Sequence, residues 1–172
     1  VADRHRLTGL LGKSVPLPAW AHLEEMKTWL RQARQAAAKA DKRAGAAAEW
    51  LLDNDYQIQR AILQIRDDLP GEFYAKLPAI SGDGLGRPRV HQLAHALPQA
   101  SHLQVSLNGA VLFVEQYQKK MPLSIAETWA FPTMLRIVCL ELLIGGFSHL
   151  FPEVEPPFEI VETPDTAMVG FD

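Results

Sequence analysis

Two imidazoles stand one helical turn apart in His91-Gln92-Leu93-Ala94-His95, a spacing that suits a zinc ion. Hydrolysis at such a zinc also needs a general base. The metalloprotease pattern supplies it as a glutamate directly after the first histidine. Here that position holds Gln92, which takes no proton from water, and His102 offers a third ligand only across a loop. Two ordinary helix histidines are the preferred reading, with a metal-dependent hydrolase built on His91 and His95 as the rival.

Asp53-Asn54-Asp55 spells the Asp-x-Asp triplet that many sugar-nucleotide transferases use to hold a divalent cation. Hard cations need converging oxygens. Inside a helical pattern, residues two apart point about 200° away from one another, so a solvated face with some ion pairing is expected instead. Asp67-Asp68 oppose the helix dipole near a C-terminus and call for a basic neighbour, Arg66 or another. The loop Ser-Gly-Asp-Gly-Leu-Gly at 81–86 matches neither the dinucleotide spacing nor the Lys-Ser/Thr ending of a nucleotide-triphosphate loop, and reads as a turn. Cys139 lies in the apolar run Leu-Arg-Ile-Val-Cys-Leu-Glu-Leu-Leu and is expected in the core, with no disulfide open to a single cysteine. The four tryptophans (Trp20, Trp29, Trp50, Trp129) and Tyr56, Tyr74 and Tyr117 could stack on sugar rings. Their helical spacing favours core packing. No residue is assigned a catalytic, cofactor-binding or metal-ligating role.

The elements that carry these residues are helical. Leu51, Ile58, Ile62, Ile65 and Leu69 recur in steps of three and four after one missed turn, marking a long helix from Ala46 to Leu69 that Pro70-Gly71 closes. Ahead of it, Ala19 to about Ala40 places Trp20, Leu23, Met26, Leu30 and Ala33 or Ala37 on one face. Short helices are expected at Gly71–Pro78, at Arg89–Leu97 ended by Pro98, and at Leu107–Lys119 with Ser106 as N-cap. Ser124-Ile125-Ala126-Glu127 fits a capping box opening a last helix that Pro132 should kink. No strand pair is expected. The fold class is all-α: a single-domain multi-helix bundle with a long central helix. An irregular leader occupies 1–18, the helical domain 19–150, and an acidic, proline-rich linker or strap 151–172.

With 172 residues, 48% of them apolar and 22% charged, the chain is an ordinary globular domain. A net charge of −3 argues against a dedicated nucleic-acid binder. Residues 1–45 hold nine Lys/Arg against four Asp/Glu, while 151–172 hold six acids and no base. Solvated surface at both ends is the simpler expectation over mutual attraction. Met134–Leu150 carries Arg136, Glu141 and His149 and reads as a buried helix, not a membrane span. No signal peptide is evident, and a start at Val1 suggests an excised or processed piece.

Several fragments in order resemble the helical region of the cyclic β-1,2-glucan synthases. They are Glu49-Trp50-Leu51-Leu52-Asp53-Asn54, Gln64-Ile65-Arg66-Asp67-Asp68-Leu69-Pro70, Phe73-Tyr74, Leu77-Pro78 and Pro88-Arg89-Val90. Pro122-Leu123-Ser124-Ile125-Ala126-Glu127-Thr128-Trp129-Ala130 and Pro132-Thr133-Met134-Leu135-Arg136 then resemble the family's second signature. The resemblance runs over roughly residues 46–140. It is loose in the first 45 residues and departs after Arg136. It implies a piece of a very large bacterial inner-membrane enzyme, a processive glucosyltransferase using UDP-glucose and a divalent metal, with a phosphorylase-like domain that trims the glucan. The family's catalytic acids belong to those other domains. The resemblance therefore implies a non-catalytic scaffold or docking domain on the cytoplasmic side of the membrane, partnered by the glycosyltransferase domain of its own parent chain, without a membrane span or nucleic acid of its own. The alternative from another class is a stand-alone helical protein-interaction module.

Overall fold

Alanine-rich sequence and an apolar stripe make α1 (Pro18–Lys39), whose buried face runs Leu23, Met26, Leu30, Ala33 and Ala37, as the spacing predicts, with Trp29 beside it. The computed structural model describes residues 7–10, 18–39, 45–80 and 87–158. The side chain of Trp20, the loop at 81–86, most of the leader and the tail beyond 158 lie outside the described residues.

The run expected to be one rod from Ala46 to Leu69 is two helices, α2 (Gly45–Asp53) and α3 (Asp55–Asp68). The cause is Asn54. Its side-chain amide donates to the Trp50 carbonyl at 2.8 Å, the same oxygen that its backbone N–H reaches at 3.0 Å. Asparagine competes in this way with helical bonding and favours helix ends. Ile58, Ile62, Ile65 and Leu69 stay buried across the break. Pro70 then stops α3 and starts the single turn α4 (Gly71–Tyr74), which tucks Tyr74 and Leu77 into the core.

A short strand pair corrects the expectation of none. β1 (Leu7–Leu10) and β2 (Pro78–Ile80) run antiparallel, with Leu7 opposite Ile80, Leu10 opposite Pro78 and an irregularity between Leu7 and Gly9. Pro78 sits at the first strand position, where its missing N–H costs least. The strand at 7–10 also shows that the leader is not irregular throughout. At three and four residues, the strands leave the fold all-α.

α5 (Arg89–Ala100) continues two residues past Pro98, so that proline does not end it. α6 (Leu107–Gln118) begins where expected, with Ser106 Oγ accepting from the Gly109 N–H at 3.1 Å. The turn before it passes through left-handed backbone at His102 (φ 49°) and Leu103 (φ 64°). α7 (Ile125–Ser148) is the longest helix among the described residues and runs through Pro132 without interruption. Its capping box forms as the sequence predicts, with both reciprocal hydrogen bonds present. α7 is the central element: α5 packs along it most extensively, and α3 and α1 flank it. After it, Phe151 and Val154 are buried, and Trp29 Nε1 donates to the Val154 carbonyl at 3.1 Å, strapping residues 151–158 onto α1.

Candidate functional site

The polar residues of this domain converge on α7, which meets its neighbours through three ionic contacts. At its N-terminus, the capping box orients Glu127, and Arg89 at the first turn of α5 reaches it with two nitrogens, Nε to Oε1 at 2.7 Å and Nη2 to Oε2 at 2.6 Å. Arg89 Nη2 also donates to the Pro122 carbonyl at 3.1 Å, and the guanidinium lies 5.9 Å from the Tyr117 ring centroid. Ser124 donates to Glu127 Oε2 from both its backbone N–H and its hydroxyl, each at 2.9 Å. Burial alone would push the Glu127 carboxyl up. The hydrogen bonds from Arg89 and Ser124 and the Arg89 charge outweigh it and hold the group below the usual carboxylate range. A buried pair bonded in this way holds α5 to α7.

Little more than one turn beyond α7's midpoint toward its C-terminus, Glu141 Oε1 lies 3.2 Å from His91 Nε2. His91 is buried, and among the described residues its other ring nitrogen meets no hydrogen-bond partner. Burial pushes the Glu141 carboxyl up, while the His91 hydrogen bond and the charges of His91, Arg87 and His95 bring it below the usual range. His95, half-buried, is pushed below the ordinary imidazole value by burial, despite Glu141 nearby. The cavity at this dyad, between His22, Tyr74, Arg87 and Ile137, holds about 10 Å³, less than a water needs comfortably. A substrate has no room there. The third contact is Arg136 with Asp68 at 3.2 Å, the basic neighbour that the Asp67-Asp68 pair called for. Arg66 turns instead to Glu24 on α1.

The residues singled out by spacing do not assemble into a reactive centre. His91 faces Glu141, and Gln99 is the neighbour of His95 at 3.4 Å. His102 is exposed in the strained turn. Asp55 pairs with Arg34 at 3.4 Å and Asp53 is exposed on the preceding helix, so the triplet does not fit a cation clamp. Among the described residues, no three His, Cys, Asp or Glu side chains are grouped as a metal would require.

Four residues expected in the core are exposed instead. Cys139, expected in the core, is exposed. Trp129 is 78% exposed and Trp50 46%, so only Trp29, among the tryptophans whose side chains are described, packs in the core. Tyr56 is exposed as well, whereas Tyr74 and Tyr117 are buried as expected. Sequence reasoning missed the Arg89–Glu127 pair, although the capping box had marked Glu127. Nothing local signals that a residue 38 positions away completes it.

No protein-family model matches the chain, and no solved structure matches it significantly. One curated protein does: the cyclic beta-(1,2)-glucan synthase NdvB of Rhizobium meliloti (strain 1021), 40% identical over 126 residues. The match takes in 71% of this chain but only 4% of that protein's length.

Proposed function

We propose, from the homology that links this chain to the cyclic β-1,2-glucan synthase family, that it is a non-catalytic helical scaffold or docking domain of such a synthase. The parent would be a processive, UDP-glucose-dependent glucosyltransferase of the bacterial inner membrane that requires a divalent metal. This domain would lie on the cytoplasmic side against the glycosyltransferase domain of the same polypeptide. The observation that carries the reading is the 40% identity sustained over 126 residues. The polar groups described above support it, because their hydrogen bonds tie helix to helix. α7 is long and apolar enough by composition to cross a bilayer. Its ionic contacts to α5 and α3 favour a role as the core helix of a folded domain.

Expression of the intact gene product beside the isolated chain tests this. The intact protein, supplied with UDP-glucose and a divalent cation, should release UDP and form glucan, and the isolated chain should do neither. UDP release by the isolated chain would overturn the non-catalytic reading. An intact reading frame that stops soon after Asp172 would favour a stand-alone interaction module and overturn the scaffold.

A further inference from the structure

α7 contains a long, strongly apolar stretch, yet only 39% of that stretch is buried. Its outward face carries Ile125, Trp129, Pro132, Cys139, Leu142 and Gly146, in steps of three, four and seven, with the exposed Thr128 among them bonding the Ser124 carbonyl. Ile125 and Trp129 are about four-fifths exposed, at 80% and 78%. The stripe follows a helix roughly 36 Å long, at 1.5 Å per residue. Large apolar side chains left exposed along one helix face mark an interaction surface. We infer that this face is an interdomain seat, covered in the intact protein by an apolar helix from elsewhere in the same parent polypeptide.

Charge selects that occupant. Arg136 interrupts the stripe near the middle of α7, held by Asp68 from α3. A second copy laid on the same stripe about a two-fold axis at its midpoint would bring two Arg136–Asp68 pairs face to face and bury both, a desolvation cost with no new partner to offset it. An anionic lipid surface would meet Asp68 at the edge of the stripe and a chain of net charge −3. A non-identical helix carries neither conflict, provided it is apolar and presents an acidic or neutral polar residue level with Arg136. Gly146 at the far end leaves room for it: a Cβ there would meet nothing within 4 Å. Polypeptide to supply the partner exists in the relative, of which the matched segment is 4%.

The inference rests on the docking role proposed above, and Cys139 allows the two to be tested separately. It is the one cysteine of the 172 residues and lies in the middle of the stripe. Its reaction with a maleimide is followed by mass spectrometry of the peptide that contains it, in the isolated chain and in the intact gene product. A reference thiol is introduced by Gln35→Cys, on an exposed position of α1. Access governs such rates, so a covered seat should slow Cys139 by about tenfold or more in the intact protein while the reference thiol keeps its rate. Trp129→Asp should then restore the Cys139 rate, since it places a charge in the seat but leaves the isolated fold intact. If Cys139 stays reactive and the thiol at position 35 is shielded, the domain docks through another face: the seat is overturned and the docking role stands. If both stay reactive in the intact protein, the seat is overturned. Shielding of Cys139 in the isolated chain that grows with its concentration, or with phosphatidylglycerol vesicles, would overturn the inference in favour of self-association or a lipid surface.

Discussion

Arg89 and Glu127 form a two-pronged ion pair between the first turn of α5 and the first turn of α7, with contacts of 2.7 and 2.6 Å and both side chains at most 3% exposed. The carboxylate is already committed to the capping box, so a local helix-start signal and a long-range contact share one side chain. Breaking the pair from one side leaves a buried charge uncompensated. Glu127→Gln should therefore destabilise the domain by about 3–5 kcal/mol at neutral pH, measured by urea unfolding. The paired replacement Arg89→Met with Glu127→Leu should cost distinctly less, because no orphaned charge remains.

The pH dependence follows from the same contacts. A group whose folded pKa is depressed stabilises the fold above its unfolded value, and that stability is lost as pH falls through the folded value. His95 is depressed from 6.5, and Glu127 and Glu141 from 4.5. The urea midpoint should begin to fall as pH drops below about 6.5 and fall more steeply below about 4.5. His95→Gln should flatten the upper part of that limb only, and Glu141→Gln should flatten the lower part.

Ser124 accepts the Glu127 N–H at 3.2 Å and donates two bonds back to its carboxylate. Ser124→Ala removes the cap and one of those donors. A loss of about 1–2 kcal/mol is expected in chemical denaturation, at the upper end of the range because the acceptor is a buried carboxylate.

Trp29 and Trp129 should separate stability from docking. Trp29 is buried and holds the 151–158 strap through its indole N–H, so Trp29→Ala should cost about 3–5 kcal/mol. Trp129→Ala should change the stability of the isolated chain by no more than about 0.5 kcal/mol, as for other surface positions. In the intact protein it should nevertheless speed the reaction of Cys139 with maleimide if the α7 face is a seat.

The sequence by itself determined the helices. Apolar spacing marked α1 and the two halves of the broken spine. The side-chain chemistry of Ser106 and of Ser124 with Glu127 marked the starts of α6 and α7. Such signals are legible because they act within one or two turns, where the backbone fixes which side chains meet. The link to the synthase family was equally legible, since it lies in the order of short motifs and not in their contacts.

Only the tertiary structure decided which apolar residues are inside. Cys139 and Trp129 sit on a helix whose apolar residues are not confined to one side, so their exposure depended on where α5, α3 and α1 happened to pack. Arg89 finding Glu127, and His91 finding Glu141 in place of His95 and a metal, were settled in the same way. Charges far apart in sequence become partners only when helix packing removes the water between them, and no local spacing carries that information.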